Sequence, residues 1–105
     1  MEQPNMDYID NLCGDNTEFR EKLVNILKSE LVEEVLEYNN YLKTSDYKKA
    51  AGIVHKLKHK ISLLGLEKSF YLAEQFEVNL NNKNISLQDD FENILAIMQK
   101  FVKGL

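Results

Sequence analysis

A length of 105 residues is enough for one domain and too short for a two-domain enzyme. With 44% hydrophobic and 29% charged residues, the chain has the composition of a folded protein rather than a disordered one. A net charge of −4 argues against a general nucleic-acid binder, and four glycines with one proline argue against a many-stranded sandwich or barrel.

Ahead of the first long stripe, Met6, Tyr8, Ile9 and Leu12 are expected to form a short helix over one end of the core, with Gly14 as the break. From Phe19 an apolar stripe runs through Leu23, Ile26, Leu27, Leu31, Val35, Tyr38 and Leu42 at the three-and-four spacing of a long helix. Asp15-Asn16-Thr17-Glu18 is its expected start, with Asp15 or Asn16 accepting from early N–H groups and Glu18 at the positive end of the dipole.

Thr44-Ser45-Asp46 forms a loop and cap for a second stripe of Tyr47, Ala50, Val54, Leu57, Ile61 and Leu64, which Gly65 ends as a left-handed cap. Leu66, Phe70, Ala73, Phe76 and Leu80 carry a third helix. The polar run Asn81–Asn84 follows, and Ser86 with Asp89 is expected to cap a last helix carrying Leu87, Phe91, Ile94, Met98 and Val102. The Phe and Tyr residues mostly fall on these stripes and are expected in the core. The pattern predicts an all-α protein, an antiparallel four-helix bundle with a short additional N-terminal helix, as one domain over residues 1–105.

Charge is unevenly spread: residues 43–68 hold seven lysines against Asp46 and Glu67, whereas residues 1–42 hold three basic and ten acidic residues. One helix of an acidic protein is therefore basic. On a wheel of about 100° per residue His55 falls roughly 130° and His59 about 170° from the core direction, with Lys58 at the boundary. Both histidines leave the core.

Gly52, Lys58 and Ser62 neighbour His55 on consecutive turns. A neutral imidazole nitrogen beside an ammonium suits phosphoryl transfer, the nitrogen as nucleophile and the lysine as a point charge for phosphoryl oxygens. Glu77 lies only about 40° from the middle of the third stripe, where a carboxylate needs a partner. It could accept from His55 Nδ1, pair with Lys58, or reach solvent on a slightly rotated helix.

Other site types are set aside. His55 and His59 lack a third ligand and are flanked by lysines, so no metal site is expected. No glycine-rich phosphate loop, HExxH or GxSxG is present, and Cys13, the only cysteine, reads as a small apolar residue at a helix end. A nucleic-acid site using the lysines at 48, 49, 56, 58 and 60 lacks interleaved aromatics.

The segment from His55 to Gly65, with His55, Leu57, Lys58, Leu64 and Gly65 at the family's offsets, resembles the signature of histidine-containing phosphotransfer domains. The resemblance extends from about Tyr8 to Phe101, taking in the Ser45-Asp46-Tyr47 turn and the Phe76-Glu77 pair, and departs from the family at His59, Lys60 and Ile61, where small residues are usual. It implies a four-helix bundle that shuttles phosphoryl groups between receiver-domain aspartates. His55 is then the phosphoacceptor, Lys58 stabilises the phosphoryl group, and Glu77 orients the imidazole.

Gly52, Lys48, His59 and Ser62 are expected on the receiver-docking face. The expected protein is a phosphocarrier without kinase activity or a cofactor of its own, the divalent metal belonging to the receiver domains of response regulators and hybrid kinases that are its partners. Neither nucleic acid nor membrane is an expected partner, and a cytoplasmic monomer is expected. The alternative is a helical module that docks receivers and carries no phosphate.

Overall fold

In a computed structural model, residues 2–105 are described, and they are all-helical. Five helices follow one another: α1 (Asp7–Cys13), α2 (Thr17–Lys43), α3 (Tyr47–Leu63), α4 (Glu67–Asn81) and α5 (Gln88–Lys103). α2 has 27 residues against 15 to 17 for α3–α5, and it runs along the 45 Å long axis of the molecule.

The helix starts follow local hydrogen-bond chemistry. Asn16 caps α2 by accepting from Phe19 N at 2.9 Å, which selects it over Asp15, and Asp46 caps α3 by accepting from Lys49 N at 3.2 Å. α3 ends in a Schellman arrangement: Gly65 has φ +74°, Gly65 N donates to Ser62 O at 3.0 Å, and Leu66 N donates to Ile61 O at 3.2 Å.

The expected Ser86/Asp89 cap of α5 is not formed. α5 begins after Leu87 with no side-chain cap: Ser86 lies one residue before the cap position, in a turn where Asn84 Oδ1 accepts from Ser86 N at 2.9 Å and Gln88 N donates to Ile85 O at 3.0 Å. Asp89 still lies in the first turn, where a carboxylate suits the helix dipole.

One continuous core joins all five helices, with Leu57, Ile61, Leu64, Phe76, Leu80 and Met98 fully buried. Tyr38 packs edge-on to Phe76 at 6.4 Å and lies 5.4 Å from Phe91. Its hydroxyl donates to Glu92 Oε2 at 3.0 Å, and burial, reinforced by the Glu92 charge, pushes its ionisation far above the usual tyrosine range.

Several residues assigned to the stripes are exposed instead: Phe19 and Ile26 on α2, and Tyr8 and Leu12 on α1; Tyr71, off the stripes, is exposed on α4. A stripe spaced at 3.5 residues drifts around a 3.6-residue helix; at its start α2 pairs with α1 through Arg20 and Asp10, and Ile26 edges a cleft with His59, Lys60 and Leu63 of α3. On the two-turn α1 only Ile9 and Cys13, four residues apart, share the buried face.

The N-terminal strand of chain lies across the α3–α4 turn. Asn5 N donates to Leu64 O at 2.9 Å, a Cβ at Gly65 would stand 2.7 Å from Asn5 Nδ2, and the Glu2 carboxylate accepts from the Lys68 and Ser69 amides at 2.8 and 2.9 Å. Glu2 thus caps α4 from a distance in sequence. Partial burial would raise its pKa, but the two amides outweigh this and hold it below the usual 4.5.

Because the folded value is lowered, this contribution is present above about pH 4.5 and is lost as pH falls through the folded pKa. Glu2→Ala is expected to cost about 0.5–2 kcal/mol at pH 7 and less in acid, read by urea melts at both pH values. An equal loss at both would assign the effect to packing.

Candidate functional site

The site begins as one exposed strip of α3. Lys48, Gly52, His55, His59 and Ser62 are all exposed and fall within an arc of roughly 80° on the helix. Gly52 leaves open space one turn before His55, where a Cβ would meet nothing within 4 Å. Ser62 borders a shallow cleft with Gly65, Phe70 and Tyr71 at the far end of the strip. Lys48 lies about two turns before His55, beside Lys83 of the α4–α5 connection, so it belongs to the strip but not to the chemistry around the imidazole.

α4 contributes the second half. Buried Ala73, Phe76 and Leu80 fix its rotation against the core, which brings Glu77 to the edge of α3 with its side chain about one-quarter exposed. Its two carboxylate oxygens lie 3.3 and 3.2 Å from His55 Nδ1, and Oε1 lies 3.2 Å from Lys58 Nζ. The two partners expected as alternatives for Glu77 are therefore both engaged.

A carboxylate at Nδ1 favours the tautomer with the proton there, which donates to Glu77 and leaves the Nε2 lone pair free. Nε2 takes no hydrogen bond among the described residues, and the His55 side chain is 53% exposed. The arrangement can present an oriented, neutral nitrogen nucleophile to an incoming electrophile.

Lys58 is buried rather than at the boundary, with its ammonium 4.0 Å from Glu74 Oε2 and 5.6 Å from the centre of the Phe70 ring. Its stem packs with the core edge while its head is held among carboxylates. Glu74 and Phe70 were not among the expected site residues. Their signal was position: Phe70, Glu74 and Glu77 succeed one another at helical spacing on α4, facing Lys58.

His59 stands edge-on to His55 with ring centres 5.0 Å apart, so the residue that departs from the family pattern lies directly beside the imidazole. Lys60, the next departure, is drawn away from the strip: its Nζ reaches Glu30 Oε1 and Glu34 Oε2 of α2, both at 2.9 Å. Desolvation alone would lower the Lys60 pKa, yet hydrogen bonds and charges from Glu30 and Glu34 outweigh it and hold the pKa above the usual 10.5. Ile61, the third departure, is fully buried.

Among the described residues no group of three or more His, Cys, Asp or Glu side chains is arranged to hold a metal ion, and no helix is long and apolar enough to cross a membrane. Comparisons with protein-family models, curated proteins and solved structures return no match to this chain.

Proposed function

We propose that this chain is a phosphocarrier of the histidine-containing phosphotransfer family, an antiparallel four-helix bundle of α2–α5 topped by α1, in which His55 takes a phosphoryl group from a receiver-domain aspartate and passes it to another. The observation that carries the reading is the hydrogen bond from His55 Nδ1 to Glu77, which leaves Nε2 unbonded on an exposed, basic helix. The three-residue reversal Thr44–Asp46 and the Gly65 turn support the antiparallel order of α2, α3 and α4.

Transfer is a displacement at phosphorus. The Nε2 lone pair forms the N–P bond as the acyl-phosphate P–O bond breaks, and the aspartate leaves as a carboxylate with that electron pair. The Nδ1 proton stays in place, and Glu77 balances the positive charge that develops on the ring. Lys58, one turn on from His55 and paired with the same Glu77, is the cation assigned to the phosphoryl oxygens, on release from Glu77.

The protein needs no nucleotide and no metal of its own, the receiver supplying its acidic pocket and divalent cation. Lysines of α3 speed that encounter by charge complementarity. Such a partner implies action in the cytoplasm.

The direct test is incubation with a receiver carrying radiolabelled aspartyl phosphate, followed by a gel held at neutral to alkaline pH. Label should move to this chain and be lost in acid, as an N–P bond requires; binding without label would leave only a docking module. That second reading is favoured by one observation, the His59 ring 5.0 Å from His55. Lys58→Ala is expected to slow transfer on the order of tenfold with receiver affinity little changed, since lost phosphoryl stabilisation is a transition-state effect. Weaker binding with unchanged chemistry would make Lys58 a docking residue.

A further inference from the structure

No helix covers the outer face of α2, although Lys28 and Val32 edge a cleft with Gln99, Val102 and Lys103 of α5. Glu21, Asn25, Val32, Leu36, Asn39 and Lys43 are all exposed and fall within an arc of roughly 60° along this helix. Val32 and Leu36 expose 65% and 63% of their surface, the two highest values among the large apolar residues. Two adjacent aliphatic side chains in the middle of an otherwise polar stripe are not required by the core.

Their surroundings state what fits them. The stripe begins acidic at Glu21, becomes uncharged through Asn25, is apolar at Val32 and Leu36, returns to an amide at Asn39, and ends basic at Lys43. Such an order is complementary to itself when reversed. Laid antiparallel with Val32 on a two-fold axis, Asn25 meets Asn39 of the second chain and Glu21 meets its Lys43, each pair occurring twice. Lys28, at the edge of the stripe, comes opposite Leu36, where its aliphatic stem can cover the leucine while its ammonium stays in water.

We propose that this face of α2 is a self-association surface and that its partner is a second copy of the same chain, packed antiparallel through Val32 and Leu36. An unrelated helix would need the same acid-to-apolar-to-base order in reverse to satisfy both ends, and this chain carries that order. The surface is independent of the chemistry at His55. Glu30 and Glu34, which reach α3 through Lys60, point about 140–180° away from the stripe centre, so a pair of chains would present two open His55 strips on its outer sides.

Sedimentation equilibrium of the full chain at low ionic strength tests this, with circular dichroism to verify that each variant folds. The mean mass should climb with concentration from that of one chain toward that of two. Leu36→Lys, which sets a second ammonium against Lys28 of the other chain, should raise the dimer dissociation constant by at least about tenfold. Lys43→Glu alone should weaken the dimer, and adding Glu21→Lys should restore it to within roughly threefold of the parent, because the exchanged charges again oppose each other.

In a Cys13→Ser background, Val32→Cys should form an intermolecular disulfide under mild oxidation, since the two copies meet at that residue. A chain that stays monomeric to about 1 mM overturns the proposal. So does a dimer indifferent to Leu36→Lys, or one that the paired charge exchange fails to restore.

Discussion

His55→Gln is expected to abolish phosphoryl transfer while leaving the fold intact. Glutamine is close to the imidazole in reach and can still donate to Glu77, but its amide nitrogen has no available lone pair with which to attack phosphorus. His55 is half exposed, and glutamine keeps the donor to Glu77, so stability should stay within about 0.5 kcal/mol of the parent. The measurement is the labelled transfer from a phosphorylated receiver, with a thermal melt alongside. If label persisted in the variant, the neighbouring His59 would be the acceptor, and the Glu77 contact would have no part in selecting the nucleophile.

The largest effect on stability is expected between α2 and α3. Glu34 is buried, and its Oε1 already has no hydrogen-bond partner among the described residues, so Lys60 is what compensates its charge through Oε2. Lys60→Ala strands a carboxylate in the interior and should cost about 3–5 kcal/mol. Replacing both partners with apolar residues of similar volume, Lys60→Met with Glu34→Leu, should recover most of that loss, because the stranded charge is removed together with its partner.

The pH profile separates this from packing. The Lys60 pKa is raised in the folded protein, so its contribution is complete below about pH 10.5 and falls away as pH rises through the folded value. The parent should therefore lose stability in strong alkali more steeply than the Met/Leu double variant, measured by urea melts between neutral pH and pH 11. Equal slopes would show that the pair contributes nothing beyond its volume.

Much of this was legible in the sequence because helical periodicity is a local property. The stripe from Tyr47 to Leu64 set the rotation of α3, and from that rotation the outward position of His55 followed. Glu77 was visible as a carboxylate on an apolar arc, and it found both partners within reach. Glu34 offered the same signal, an acid among Leu31, Val35 and Tyr38, and its partner Lys60 lay on another helix whose register no local pattern fixes.

The exposure of Phe19 had a different origin, the unequal lengths of α2 and its neighbours, which is a property of the assembled helices. The expected cap of α5 did not form because the helix starts one residue later, after Leu87, and Ser86 is held in a turn with Asn84. Turn chemistry of that kind is decided by competition among adjacent side chains.

Glu77 touches both His55 and Lys58, so its single negative charge is shared between the ring and the ammonium. Before reaction the lysine shares the carboxylate with a neutral ring. In the proposed transfer, the ring would turn cationic as the N–P bond formed and would draw on Glu77 while the phosphoryl oxygens drew on the ammonium. One exchange of partners meets both demands. On the proposed function, arrival of a phosphoryl group would set off a local swap of partners, and the three side chains it would use are already in contact.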